Sequence, residues 1–332
     1  MTASTETGPE EAPVQRSRAP DFLIVGHPKS GTTALSQMLA HHPQVYMPLK
    51  ETRFFAPELR SRFRSLGPRR LPETLDAYLA LFAGAGPDQL AGEASPEYLR
   101  STEAAQRIAA VAPDARIVTI FREPVSFLRS FHLQSVHNHV ETAKSFKRAM
   151  ELEPARRRGK RIPRLSQTPE TLLYSDHVRY TEQLRRFHDR FPSERVLVLI
   201  YDDFRADNAG TVKRVLDFLE LPSTGEVATV ETRPLAAVRS QTLHQLGRAV
   251  MLAKRHPDTS NPLLRGLNAA IPSGWFDDGL PPWWKRATYK PAEKPDEELM
   301  RELRRRYRPQ VEEFGSYIGR DLLALWGYAE DD

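Results

Sequence analysis

Apolar positions in this chain come in short unbroken runs, and between those runs they recur every three or four residues. The runs are Phe22-Leu-Ile-Val25, Val45-Tyr-Met47, Gln89-Leu-Ala-Gly92, Arg116-Ile-Val-Thr-Ile-Phe121 and Val196-Leu-Val-Leu-Ile200. Runs of this length closed by turn formers predict buried strands, most clearly at 116–121 with its β-branched residues. Helical spacing covers 32–41, 73–83, 102–111, 124–139, 170–190, 209–219 and 295–317, with Pro124 in a first turn where proline is tolerated. The stretch 141–169 breaks the rhythm. It carries Arg156-Arg-Arg-Gly-Lys-Arg161 among prolines and reads as a mobile insertion with a solvated basic loop, the alternative being a lure for an acidic acceptor. Residues 222–292 follow no clear period and hold Trp275, Trp283 and Trp284, so they read as core or lid. Residues 1–20, rich in Glu, Thr, Pro and Ala, read as a disordered leader.

Strands alternating with helices predict an α/β fold: a doubly wound, P-loop-like parallel sheet flanked by helices, with a helical C-terminal extension. One domain over 21–332 accommodates all of it. Ligands of such sheets sit at the carboxyl ends of the strands. That directs attention to 26–33, 51–55, 93–98, 122–130 and 201–204, which all follow predicted strands or strand-like segments.

Gly26-x-x-x-x-Gly31 joins the first strand to the first helix, an arrangement that aims backbone N–H groups and a helix N-terminus at a phosphate. A P-loop NTPase needs its Lys after the second Gly; here Thr32 stands there and Lys29 lies inside the loop, which suits a smaller 5′-group. Arg122 lies one residue past the strand at 116–121, and Ser130 follows two helical turns later. A guanidinium fork and a hydroxyl so placed can grip one phosphate together. Glu51 offers a carboxylate that could take the proton of an attacking hydroxyl.

His27-Pro-Lys-Ser-Gly-Thr-Thr33 resembles the 5′-phosphosulfate loop of sulfotransferases that use 3′-phosphoadenosine 5′-phosphosulfate (PAPS). The resemblance implies that Lys29 stabilises charge on the bridging oxygen, while Ser30, Gly31, Thr32 and Thr33 supply donors. Arg122-x-Pro124 with Ser130 resembles the 3′-phosphate motif of the same family; where many relatives carry another Arg, this chain has Phe127, with Arg129 nearby. Glu51-x-x-Phe54-Phe55 resembles an element of the heparan-type, carbohydrate-directed branch, in which that Glu is the catalytic base. The Lys-Thr-His-type motif of the cytosolic branch is missing. Glu93-Ala-Ser-Pro-Glu-Tyr98 is similar to a Glu-Lys-Ser-Pro-x-Tyr segment of the heparan-type branch, with Ala94 in place of Lys, and Glu93 is expected either to orient the acceptor or to serve a strand-end turn. Arg239-Ser240 is assigned by the resemblance to the late loop that covers the adenosine.

Composition narrows this picture only a little. The 332 residues are 40% hydrophobic and 27% charged, and the net charge of +5 suits an anionic small ligand better than a nucleic-acid coat. The chain has no Cys, so thiolate metal sites and disulfides are excluded, and His137-x-His139 and His41-His42 lack partners at metal-ligand spacing. No apolar run is long enough to span a membrane and no signal-peptide core is evident, so a cytoplasmic enzyme is expected. The expected reaction is O-sulfation of a carbohydrate, glycolipid or secondary-metabolite hydroxyl, leaving adenosine 3′,5′-bisphosphate and needing no metal. The rivals are a P-loop kinase of a small metabolite and a non-catalytic nucleotide-binding module. Oligomeric state stays open.

Overall fold

The computed structural model describes residues 18–48, 51–60, 71–163, 166, 168–223, 237–255, 265–266, 269–270, 281–291 and 294–328. Most of the expected leader, Lys50 and Trp275 lie outside them. Five strands, β1 (Phe22–Ile24), β2 (Val45–Tyr46), β3 (Leu90–Ala94), β4 (Arg116–Phe121) and β5 (Val196–Ile200), form one sheet in the order β2-β3-β1-β4-β5. Every pairing is parallel. The chain leaves β1 toward β3 and β2, then returns to build β4 and β5 on the other side, so β1 is the central strand beside which the winding reverses.

Side chains alternate across these strands because the period of a strand is two. Leu23, Val25, Ile117 and Phe121 enter one apolar layer with α3 (Ala104–Val111), α4 (Pro124–His137), α6 (Tyr180–His188) and the helix α11 (Glu297–Ile318). Phe22, Ile24, Val118 and Ile120 enter a second with α1 (Thr32–Ala40) and α8 (Asn208–Phe218). A sheet covered on both faces explains why its strands read as continuous apolar runs rather than alternating ones. The doubly wound α/β expectation is therefore borne out. Further helices are α2 (Leu75–Leu79), α5 (Phe146–Arg157), α7 (Tyr201–Ala206), α9 (Gln241–Arg255), α10 (Pro282–Thr288) and α12 (Leu322–Trp326). A short antiparallel ribbon pairs β6 (Ala237–Val238) with β7 (Tyr289–Lys290). Among the described residues no helix is long and apolar enough to cross a membrane.

Two expectations need correction. The stretch 170–190 is not one helix: 3-10 turns at Pro169–Leu172 and Tyr174–Val178 precede α6. The Gln183 side-chain amide donates to the carbonyls of Asp176 and His177 at 2.9 and 3.3 Å, taking the place of helical N–H groups. The supposed insertion at 141–169 contains the 12-residue helix α5, and Arg156 is not part of a solvated loop. Its guanidinium donates to Glu141 Oε2 and Oε1 at 2.6 and 2.7 Å, and the two side chains are 1% and 0% exposed. Glu141 also accepts from the N–H groups of Thr142 and Ala143 and from the Tyr174 hydroxyl.

A buried pair of this kind stabilises little against an apolar replacement, but removing one partner strands the other charge. Arg156→Met should lower the unfolding free energy by about 3–5 kcal/mol in urea titrations. An effect within the ordinary surface range of about 0.5 kcal/mol would show that the pair is not buried as described.

Candidate active site

Four neighbouring strands, β3, β1, β4 and β5, release polar side chains at the same edge of the sheet. The loop after β1 is the most constrained. A Cβ on Gly26 would lie 2.4 Å from Ile120 Cγ2 and 2.9 Å from the Ile120 backbone, so only glycine lets the end of β1 run this close to β4. Lys29 and Gly31 both take left-handed backbone angles, with φ of 64° and 85°. For Lys29 that is a strained choice, and it turns successive N–H groups toward one side. Gly31 is the N-cap of α1, which has neither a side-chain cap nor an acidic residue in its first turn. By contrast α4, α5, α8 and α11 are each capped by a side chain of their own. No N-cap side chain or first-turn acid therefore competes with an anion at this helix start. Ser30 is buried and its Oγ makes no hydrogen bond within the protein, whereas Thr32 is buried and Thr33 exposed.

His27 anchors the loop from below. It is fully buried between Phe121, Phe127 and Tyr180, with ring centroids 5.6, 5.0 and 4.8 Å away. Burial pushes its pKa from 6.5 down to about 3, so the ring is neutral near pH 7. Because the Gln183 amide nitrogen is committed to backbone carbonyls, its Oε1 faces His27, and Nε2–H donates to it at 2.7 Å.

Arg122, just past β4, locks onto the same loop. Its Nη1 donates to the Lys29 carbonyl at 2.9 Å, and its guanidinium lies 4.8 Å from the Tyr201 ring centroid after β5. The Arg122 carbonyl accepts from the Tyr180 hydroxyl at 2.8 Å. Glu123, next in sequence, caps α4 by accepting from Val125 and Ser126 N–H at 2.9 and 2.6 Å. That cap sets the direction of α4 and so the position of half-buried Ser130, which helical spacing puts on one flank with Ser126 and His137. Burial, and then the Lys29 ammonium, hold the His137 pKa below its usual value, so this flank faces the loop.

On the β3 side, the Glu51 N–H donates to the Ala94 carbonyl at 2.8 Å, and the Ser95 N–H to the Ile24 carbonyl at 3.1 Å. Glu51 is therefore tied to the end of the strand that neighbours β1, again with a positive φ of 63°. Its carboxylate is 42% exposed and lies 3.6 Å from Arg53, which pairs more closely with Glu97 at 2.7 Å. Of the two roles open to Glu93, the structural one at the strand end fits and the acceptor contact does not. Glu93 is 0% exposed, so it cannot reach an acceptor. Thr52, Ser95 and Tyr98 hydroxyls donate to its Oε1 at 2.5, 2.7 and 2.8 Å, and Tyr78 donates to Oε2 at 2.5 Å. Burial pushes its pKa up while these hydroxyls pull it back. Its role is to hold Thr52, and with it the neighbouring Glu51, against the sheet.

Arg239 is set apart from this group. It is exposed on β6's end, its N–H donates to the Thr288 carbonyl at 2.8 Å, and its own carbonyl accepts from Lys144 Nζ at 3.1 Å. It lines a cavity of about 530 Å³ whose wall includes none of Lys29, Arg122 and Ser130. Sequence reading missed Gln183, Tyr180 and Tyr78 as parts of the site, and it included His27 in the loop motif without a role of its own. Nothing local links positions 27 and 183, although Tyr98 and Ser95 lay within the motif around Glu93.

The site and fold agree with comparison to known proteins. The sulfotransferase domain family model matches residues 19–246, so the chain belongs to that family. It is 32% identical over 209 residues to heparan sulfate glucosamine 3-O-sulfotransferase 6 of Homo sapiens, covering 62% of this chain and 54% of that one. To 3-O-sulfotransferase 3A1 of Mus musculus it is 26% identical over 204 residues, covering 61% and 46%. The chain thus spans about half the length of these relatives. A crystal structure of a sulfotransferase from Alicyclobacillus acidocaldarius superposes with a TM-score of 0.56 at 29% identity, over 78% of this chain and 99% of that one.

His27 gives this site a pH signature. Its folded pKa, about 3, lies below the unfolded 6.5, so the unfolded chain binds an extra proton between these values. Stability should fall as pH drops from 6.5 toward 3, by about 1.4 kcal/mol per pH unit from this group. His132 and His177, also lowered by burial, add to the slope. In His27→Gln, urea unfolding between pH 4 and 6 should show a slope shallower by about that amount; an unchanged slope would mean that His27 is charged or solvated in the fold.

Proposed function

We propose that this protein transfers a sulfuryl group from PAPS to an acceptor hydroxyl, releasing adenosine 3′,5′-bisphosphate. The observation that carries this reading is the uncapped N-terminus of α1, with the orphaned Ser30 Oγ beside it and Lys29 and Arg122 converging on the same loop. Buried donors without protein partners fit a phosphosulfate better than solvent. PAPS supplies the activated sulfuryl group; the chain's residues bind, orient and move a proton. The N–H groups of Gly31, Thr32 and Thr33 with the hydroxyls of Ser30 and Thr32 would hold the 5′-end. Lys29 would stabilise negative charge on the leaving phosphate oxygen. Arg122 and Ser130 would grip the 3′-phosphate, the group that distinguishes PAPS from ATP. Glu51 would take the acceptor's proton, its side chain being 42% exposed and so open to an external hydroxyl. Arg239, which lines a separate cavity, is given no contact with PAPS in this reading.

For the acceptor we infer a carbohydrate hydroxyl. The Glu51-x-x-Phe54-Phe55 element and the likeness to heparan sulfate glucosamine 3-O-sulfotransferases both favour it.

Calorimetric titration tests the reading directly. Adenosine 3′,5′-bisphosphate should bind more tightly than AMP or ATP. Arg122→Ala should remove about 1.5–3 kcal/mol, or about 10- to 150-fold, from the bisphosphate alone. Tightest binding by ATP, and only with magnesium, would replace this reading with a kinase. Separately, Glu51→Gln should keep bisphosphate affinity while sulfuryl transfer to a saccharide panel falls by about 10²- to 10⁴-fold. Full turnover in that variant would remove Glu51 as the base.

A further inference from the structure

The cavity that holds Arg239 has a composition unlike the rest of the surface. Six cationic side chains surround its volume of about 530 Å³: Arg129, Lys144, Lys147, Arg239, Lys290 and Lys294. Asp296 is the single acid among its described lining residues, and its carboxylate is engaged as the N-cap of α11, accepting from Leu299 N–H at 3.1 Å. Like charges gathered around one concavity repel one another, and a bound anion relieves that repulsion. Two helices also begin at the wall. Ser145 caps α5 without adding charge, so that N-terminus contributes positive potential, whereas Asp296, Glu297 and Glu298 offset the dipole of α11.

The floor is different in kind. Val136, Val238, Leu299 and Met300 are all under a tenth exposed, and Leu133 and Phe146 complete an apolar base. A small inorganic anion would leave that base unused, and a neutral apolar ligand would make no use of the cationic rim. The volume lies within the range of sites that enclose a small organic molecule.

The cavity is also distinct from the phosphate loop. Arg129, His132, Leu133 and Val136 recur at helical spacing and face it from α4. Ser130, the residue after Arg129, is rotated by about 100° around the helix and belongs to the flank that carries His137. The β6–β7 ribbon stands between the two, with Tyr289 stacked on His137 at 5.4 Å and Lys290 turned into the cavity wall.

We propose that this cavity is a second ligand site, which takes an amphiphilic anion: a tetrahedral oxyanion ester, phosphate or sulfate, carrying an apolar group. The ester oxygens meet the cationic rim, and the apolar group covers Leu133, Val136, Leu299 and Met300. The site does not depend on the assignment of the phosphate loop.

Calorimetry on the full chain, with 1-naphthyl phosphate and 1-naphthyl sulfate as probes and inorganic phosphate and 1-naphthol as controls, tests the proposal. At least one ester should bind with one-to-one stoichiometry and more tightly than either control, and the two ester arms show which oxyanion is preferred. Affinity should fall with added salt, as rim charges are screened. Lys147 and Lys294 are exposed, so Lys147→Glu and Lys294→Glu should fold with unchanged thermal midpoints. Each should weaken the ester by about tenfold or more. If either variant is unstable, Arg239→Glu, also at an exposed position, serves in its place. Saturating adenosine 3′,5′-bisphosphate should leave ester binding intact. The proposal is overturned if neither ester binds, if naphthol binds equally well, if the charge reversals change nothing, or if the bisphosphate displaces the ester. Should the bisphosphate itself fail to bind while the esters still respond to the charge reversals, the PAPS reading falls and this site stands.

Discussion

The hydrogen bond from Arg122 to the carbonyl of Lys29 joins the two halves of the sheet at the point where the site is built. It bridges the loop after β1 to the end of β4, and it can form only because Lys29 adopts a left-handed backbone. That backbone costs about 1–2 kcal/mol for a residue with a side chain. A charge-assisted hydrogen bond of about 1.5–3 kcal/mol offsets it. Arg122 is held in turn by the Tyr201 ring and, through its own carbonyl, by Tyr180. Tyr180 packs on His27, and His27 donates to Gln183, whose other end fixes the turn at 176–177. A run of contacts thus connects the phosphate-loop candidate to a segment some 150 residues later in the chain.

The neutrality of His27 matters for the same reason. A cation at that position would face the Arg100 guanidinium from inside an apolar layer, with Phe121 and Phe127 as its neighbours. Burial keeps it uncharged, and the net positive potential of the loop then comes only from groups that can meet a ligand. Carboxylates follow a parallel logic. Glu93, Glu123 and Glu141 are buried and engaged by hydroxyls, backbone N–H groups or Arg156. Glu51 differs, being 42% exposed at the edge of the cleft, and exposure is what a proton acceptor for an external hydroxyl requires.

Much of the sheet was legible in the sequence, because strands covered on both faces leave unbroken apolar runs. The stretches 116–121 and 196–200 form strands with those same limits, and the Gly26–Gly31 loop sits between strand and helix as its spacing implied. What escaped were features set by contacts distant in sequence. The Gln183 side chain breaks the expected helix at 170–190 from within, a choice no periodicity records. Arg156 looked solvated because it heads a basic run, yet Glu141 buries it, while its neighbours Arg157 and Arg158 stay at the surface. Glu93 left two roles open, orienting the acceptor or serving the strand end, and the hydroxyls of Thr52, Tyr78, Ser95 and Tyr98 that enclose it decide for the second.

Arg239 shows the same limit at larger scale, and its position bears on how one helix serves two surfaces. The core face of α4 carries Val125, Leu128 and Phe131 and is fixed by packing. With that face fixed and the N-terminus capped by Glu123, the remaining two flanks have no rotational freedom. One presents Ser130 and His137 toward Lys29; the other presents Arg129, Leu133 and Val136 to the basic cavity. Any shift of α4 along or about its axis would move both at once, since a helix transmits displacement as a rigid body over a span of 14 residues. The α11 helix packs directly on α4, and its own N-terminus forms part of the cavity wall. One helix in one fixed orientation thus serves both surfaces without a shared residue.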